Sequence, residues 1–458
     1  MKRVLQYILI GVTIVSCDNF LEVGPNNSEL DTEMVFKNDN TALAALDAVY
    51  HELQFNSFAN GGTYSITFLG NTLADDAIEH NTINDRYDFY LNSLRANNES
   101  SYYIWSSAYG QLYYVNALLE GIADNIDLSE TTKNRIEGEA KFLRAFIYYY
   151  LVHLYDEIPL VLTTDYHTNQ SLARTSVSEI YSQIQKDLED ALIYLSENYI
   201  HSEGEHIRPN KYAAYTLLAR LSLWKEDYPN AINYSSEVID SGKYELLELD
   251  EVFMANSLES IWQLVPEDPY IGGSEGYFYI IESNPSSPGA TASTSLTTDF
   301  LNSYELYDLR YQNWIGMYSE GENDYYYPFK YKIKNGGDSE EYSMVMRFAE
   351  LYLIRAEAYA KSGNVQAAID DLNKIRNRAG LPDWTVTDIP DIEQAVLDER
   401  RRELFSEWGH RWLDLKRFGV IDEVLGQKKP TWQPHAKLLP IPEQDILRNP
   451  FLTQNPGY

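Results

Sequence analysis

Five adjacent residues, Gly272-Gly273-Ser274-Glu275-Gly276, spell the G-x-S-x-G string that lifts a nucleophilic serine at a strand-to-helix elbow. Asp268-Pro269-Tyr270 precedes the string and Tyr277-Phe278-Tyr279 follows it, so the residue types predict a loop and then a strand, not an elbow. Asp75-Asp76 is the best-placed acid pair for glycosidic hydrolysis, which needs two carboxyls at a set separation. Adjacent acids before a loop are more often solvated or capping residues. The 8 histidines contain no H-x-x-x-H pair and the 1 cysteine excludes C-x-x-C, so zinc spacing is missing. Glu399-Arg400-Arg401-Arg402-Glu403 reads as i,i+3 and i,i+4 ion pairs along a helix, and Trp408 and Trp412 read as core. No catalytic residue, metal ligand or cofactor is assigned from these patterns.

Binding chemistry is better represented than catalysis. The chain of 458 residues carries 38 Tyr beside 16 Phe and 8 Trp, and tyrosine joins a flat apolar face to a polar tip. With 44% hydrophobic and 23% charged residues it reads as a globular protein able to bury a large core. Against 69 Asp+Glu there are 36 Lys+Arg, a net charge of −33, and such a polyanion repels phosphate backbones. Nucleic acid is excluded as a partner.

The first residues predict a compartment. Lys2-Arg3 forms a positive start, residues 4–15 are mostly apolar, and Ser16 places a small side chain before Cys17. The apolar run is far short of the roughly 20 residues that span a bilayer. The expectation is a lipoprotein signal over residues 1–16, with Cys17 acylated as a membrane anchor. Cleavage there removes Lys2 and Arg3 and takes the net charge from −33 to −35. Residues 17–31, with Gly24-Pro25-Asn26-Asn27, then form a tether that reaches on the order of 45 Å when extended.

From residue 35 onward the apolar period is helical. Ala42, Ala45, Leu46, Val49, Tyr50 and Leu53 recur every three or four residues, and 104–122, 136–154 and 177–200 continue the pattern, the last capped near Ser176 and Ser178. Laying 211–240 over 348–377 without gaps matches Tyr215 with Tyr352, Ala219 with Ala356, Ala231 with Ala368 and Val238 with Ile375. Both units carry a short turn and then Ala-Ile, the layout of a tetratricopeptide pair. Two stretches break the pattern, one near 71–101 and one at 243–346, both rich in polar and aromatic residues; the second holds short strand-like runs such as 260–265 and 276–281. Long inserts on a helical scaffold are where function sits. The expected architecture is mainly α: helix pairs in a right-handed superhelical scaffold over residues 32–458, with loop-rich inserts and a few short strands.

Several blocks resemble one family. Residues 137–155 (EGEAKFLRAFIYYYLVHLY) followed by Ile158-Pro159-Leu160-Val161 resemble a block of the SusD/RagB family of outer-membrane nutrient-binding lipoproteins. Residues 347–358, 398–404 and 408–417 agree, as do Leu438-Leu439-Pro440-Ile441-Pro442 and Asn455-Pro456-Gly457-Tyr458. One departure is Asp308-Leu309-Arg310 where many relatives have Asp-Pro-Arg. The resemblance implies a tetratricopeptide fold, a ligand face built by the inserts, and a SusC-type TonB-dependent outer-membrane transporter as partner, over which the lipoprotein sits outside the cell as a hinged lid. It implies an oligosaccharide ligand, with peptides in some branches, and a glycoside hydrolase is the remaining alternative.

The family supplies no ligand motif, so candidate residues follow from chemistry. A sugar offers C–H faces that stack on rings and hydroxyls that need donors and acceptors. Tyr87 and Tyr90 beside Arg86 and Asp88, with Trp314, Tyr325, Tyr326 and Tyr327 opposite, meet both needs. Arg86 and Arg310 are the side chains from which a local positive patch could be built.

Overall fold

The computed structural model describes residues 32–55, 57–266, 273–336, 340–387 and 391–458; Cys17 and the tether lie outside the described residues. The longer helices are α1 Asp39–Phe55, α2 Ile66–Leu73, α3 Glu99–Ile122, α4 Glu130–Tyr155, α5 Val177–Tyr194, α6 Lys211–Trp224, α7 Tyr228–Ile239, α8 Phe348–Lys361, α9 Val365–Arg378, α10 Ile392–Leu404, α11 His410–Arg417 and α12 Ile421–Lys428. Side-chain oxygens start many of them. Asn98 accepts from Ser101 N ahead of α3, Ser129 from Thr132 N ahead of α4, and Ser176 from Glu179 N ahead of α5. Each of α3 to α9 packs on the next, so the helices stack in chain order, and α10 returns against α8.

The matching units are the pairs α6–α7 and α8–α9. Their turns agree in detail: Glu226 and Gly363, which the ungapped repeat superposes, both have positive φ, 55° and 78°. The next residues, Asp227 and Asn364, both cap the second helix. Small side chains permit the close approach, with Ala219, Ala231, Ala356 and Ala368 fully buried. The mainly helical, tetratricopeptide-like expectation holds.

The middle of α4 is the axis of the core, buried on every side from Phe142 to Tyr155. Phe146 meets Trp262 and Trp408 edge-on at 5.1 and 5.4 Å between ring centroids. Trp408 and Trp412 are core as expected, although Trp408 stands in the turn before α11, at φ 45°, not on the helix.

Among the described residues, six short strands form three antiparallel pairs: β1 Ala77–Glu79 with β3 Thr294–Leu296, β2 Ser260–Leu264 with β6 Ser343–Arg347, and β4 Ile315–Glu320 with β5 Asn323–Pro328. The strand expected at 276–281 is instead a short helix, Ser274–Tyr279, which buries Glu275, Gly276 and Tyr279. The backbone at Gly276 runs so close to Ile333 O that a β-carbon would lie 2.2 Å from it. That contact fixes the helix against the neighbouring chain.

The charged motifs are internal. Arg400 pairs with Asp414 at 2.8 Å, Arg401 with Asp76 at 2.7 Å and Arg402 with Glu399 at 2.8 Å, so the arginine run mostly reaches other elements and only Arg402 makes the i,i+3 pair. Asp75 and Asp76, read as solvated or capping, are buried. Asp75 accepts from Arg411 Nε at 2.7 Å and from Lys428 Nζ at 2.6 Å. Burial opposes its ionisation, but the Arg411, Arg401 and Lys428 charges hold it well below the usual carboxylate range. Burial pushes Asp76 the other way, upward.

Candidate functional site

The first insert is anchored by β1, whose register with β3 pairs Ala77 with Leu296, Ile78 with Ser295 and Glu79 with Thr294. One residue on, His80 N donates to Ser293 O at 2.8 Å, and His80 Nε2 lies 2.8 Å from Ser295 Oγ. These bonds present the imidazole to the second insert, where its edge meets Tyr325 at 5.4 Å and 85°. Tyr325 stacks on Tyr318, its partner across the β4–β5 ladder, at 6.4 Å and 29°. Burial lowers the His80 pKa, which keeps the ring neutral at pH 7, able to donate from one nitrogen and accept at the other. The two inserts meet along this line of rings.

Beside it, Arg86 precedes the one-turn helix Tyr87–Tyr90. Its guanidinium lies 5.6 Å from the ring centroids of both Tyr64 and Phe68, and among the described residues its buried Nε has no hydrogen-bond partner. Tyr87 and Tyr90 are half-buried, 5.7 Å apart and tilted by 42°. Lys429 sits 5.1 Å from the Tyr90 ring. Asp88 accepts from Asn98 Nδ2 at 3.1 Å, the residue that caps α3, so this carboxylate braces the loop as well as lining it. Glu79 Oε1 accepts from Asn81 N at 2.8 Å while burial raises its pKa.

The opposite half of the expected site divides. Consecutive residues of a strand face opposite ways. Tyr325 stays half-exposed on the side of His80, where it and Tyr318 border a small cluster of Ile280, Ile281, Ala292 and Tyr327, whereas Tyr326 packs on the other satellite core, the one that holds Trp314. Trp314 is fully buried among Phe253, Phe300 and Phe405, its indole N–H donating to Leu249 O at 2.9 Å; it is not a ligand platform. Tyr327 is also buried, its ring filling the space over its ladder partner Gly316, where a β-carbon would come within 2.3 Å. Arg310 offers no positive patch: it is wholly inside, bound to Asp308 at 2.8 Å, Glu399 at 2.7 Å and Glu403 at 3.1 Å. The Asp308–Arg310 pair survives the change of turn residue between them, and Asp308 caps the helix Leu309–Trp314.

Residues 303–458 match the family described as "SusD family", and residues 19–223 match one described as "Starch-binding associating with outer membrane". The chain belongs to the SusD/RagB family. A SusD-like protein of Formosa agariphila, P25, is 24% identical over 100% of this chain and 99% of its own. The solved SusD superfamily protein from Bacteroides vulgatus superposes with a TM-score of 0.79 at 22% identity, covering 92% of this chain and 100% of that one. Surface glycan-binding protein A from Bacteroides fluxus gives 0.77 at 23% identity, over 92% and 99%.

Within this SusD-like chain, His80, Tyr318 and Tyr64 were missed by the sequence reading. Counting outward from the Gly321-Glu322 turn pairs Tyr318 with Tyr325, so a hairpin signal existed for that one. His80 and Tyr64 reach the face through long-range packing, for which a lone sequence has no local signal. No group of three or more His, Cys, Asp or Glu able to hold a metal occurs among the described residues, and no described helix is long and apolar enough to cross a membrane.

Proposed function

We propose that this protein is a lipid-anchored outer-membrane binding protein facing the cell exterior, which takes up a neutral oligosaccharide on the face where the inserts meet and passes it to a SusC-type TonB-dependent transporter as a hinged lid. The observation that carries the reading is the run of half-exposed rings Tyr318, Tyr325 and His80, with Tyr87 and Tyr90 on the adjoining insert. Rings of this kind stack on sugar C–H faces, while neutral His80 and the Arg86 guanidinium supply donors for hydroxyls. The family description and the glycan-binding name of a structural neighbour support the ligand class. Cys17 would carry the lipid and residues 17–31 the hinge.

A panel of neutral glycans and peptides, titrated against the protein cut before Cys17 at low and high salt, tests the ligand. Salt-independent glycan binding is expected. Binding confined to cationic peptides and abolished by salt would replace it with the peptide reading, and stoichiometric cleavage products would replace it with a hydrolase. Cys17→Ser should move the protein from the membrane to the soluble fraction. Shortening the tether should reduce uptake in cells while leaving the isolated protein's ligand affinity unchanged.

A further inference from the structure

One face of α3 carries Tyr102, Trp105 and Tyr109, at i, i+3 and i+7. Trp105 lies 4.7 Å from Tyr109 and meets Tyr155 edge-on at 4.8 Å, and Tyr109 Oη donates to Pro159 O at 2.9 Å, so these rings are fixed in place. Across from them run two short helices, Tyr166–Asn169 and Glu443–Arg448. Their ends are tied down as well: Glu443 N donates to Ala96 O at 2.9 Å and Asn449 Nδ2 to Leu172 O at 2.8 Å. Between the walls is an open groove of about 490 Å³, the size of a small-molecule site. Neither the ligand face described above nor the helix stacking uses it.

We propose that this groove is a second, independent binding site for a short neutral oligosaccharide. Its floor is aromatic, and Tyr166 stands on its wall with 70% of its surface exposed, a ring free to stack on a sugar. Its polar groups come as a balanced pair. Arg448 Nη1 lies 3.8 Å from Asp445 Oδ1, with the arginine side chain 68% and the aspartate 25% exposed. A loose pair of this kind retains donors and acceptors for hydroxyls and carries no net charge to attract an ionic ligand. An extended peptide is disfavoured because none of the six described strands contributes to the lining, so no strand edge is available for it to add to. Two sites on one lipoprotein would hold a long glycan at higher effective concentration than either alone.

The test uses the protein cut before Cys17 and its Tyr166→Ala, Arg448→Ala and Tyr325→Ala variants. Maltotriose, cellotriose, laminaritriose, mannotriose and xylotriose are the probes, trialanine is the peptide control, and binding is read by saturation-transfer NMR and calorimetry. Thermal melting checks each fold, and the exposure of Tyr166 leaves little reason for it to matter to stability. At least one trisaccharide should still bind Tyr325→Ala, and Tyr166→Ala should weaken that binding by roughly tenfold or more, with Arg448→Ala acting in the same direction. Trisaccharide binding untouched by Tyr166→Ala and Arg448→Ala would overturn the second site while leaving the insert face standing. Binding that depends on Tyr166 but not on Tyr325 would uphold the groove and remove the insert face. Trialanine binding at the Tyr166 site without any trisaccharide would overturn the ligand class.

Discussion

The imidazole of His80 meets the ring of Tyr325 edge-on, 5.4 Å between centroids, and so joins the strand β1 end of one insert to the β4–β5 hairpin of the other. The contact gives each residue a different part. In the proposed reading Tyr325 offers its remaining exposed face to a ligand, while His80 holds that ring at its edge and adds a hydrogen-bonding nitrogen. Tyr325→Ala should therefore cost about 1–3 kcal/mol of glycan affinity, and His80→Ala less, through looser positioning. Calorimetric titration of both singles and the double is the check. A coupling energy of about 0.5–1.5 kcal/mol is expected for the pair, and strict additivity would deny His80 its part.

Glu226 occupies a left-handed turn at φ 55° that its counterpart Gly363 occupies at φ 78°. A side chain there costs energy that glycine avoids. Glu226→Gly should leave the α6–α7 pair intact and raise stability by about 0.5–1 kcal/mol, read from urea unfolding. A loss instead would mean that the Glu226 side chain makes a compensating contact.

Glu275 is buried at the start of its short helix, and desolvation, reinforced by Glu341 and Glu407, pushes its pKa up to about 7. Its Oε1 accepts from Ser343 Oγ. An acid raised in the folded state binds a proton there that the unfolded chain has released, so its contribution is favourable below the ordinary value near 4.5 and is lost as pH rises to 7. Glu275→Gln keeps the Ser343 bond without the ionisation. The variant should match the parent at pH 4.5 and exceed it by up to about 3 kcal/mol above pH 7 in urea unfolding. A pH-independent difference would mean that Glu275 does not titrate in this range.

How far these features can be read from sequence depends on the range of the interaction. The repeat registered Glu226 on Gly363 and Asp227 on Asn364 because turns and caps are local, and the same is true of Ser176 before α5. Ser274–Tyr279 reads as a strand because its aromatic run suits one, and the close passage of Ile333 O at Gly276, which packs the observed helix, has no local signal. The candidate site divides likewise. Arg86, Tyr87 and Tyr90 are local neighbours and do lie together, and Tyr325 follows from the hairpin. Trp314, Tyr327 and Arg310 went wrong because an exposed platform and a buried anchor have the same residue type, and only the tertiary fold fills the space around them.

Arg347, 1% exposed at its side chain, shows how much of the fold rests on buried charge. It lies at 2.8 Å from Glu407, 2.9 Å from Glu259 and 2.6 Å from Glu403, and its Nη2 also donates to Glu403 O at 2.7 Å. Burial alone would push the acids up, yet Arg378 and Arg347 hold Glu403, and Arg347 and Lys330 hold Glu407, below the ordinary carboxylate value. Depressed acids contribute stability above their unfolded value, near 4.5, and lose it as pH falls through the folded value. Arg347→Met keeps most of the volume and removes the charge, leaving three buried carboxylates short of a partner, so it should cost about 3–5 kcal/mol at pH 7. Arg347→Lys should recover only part of this, since one ammonium cannot reproduce the forked contacts. The charge account also fixes the pH dependence: the cost of Arg347→Met should be greatest above pH 5 and shrink as the solution is acidified below about 4, where protonation relieves the stranded acids. Urea unfolding of parent and variant across that range decides it. A cost that stays constant with pH would assign the role of Arg347 to packing instead of charge.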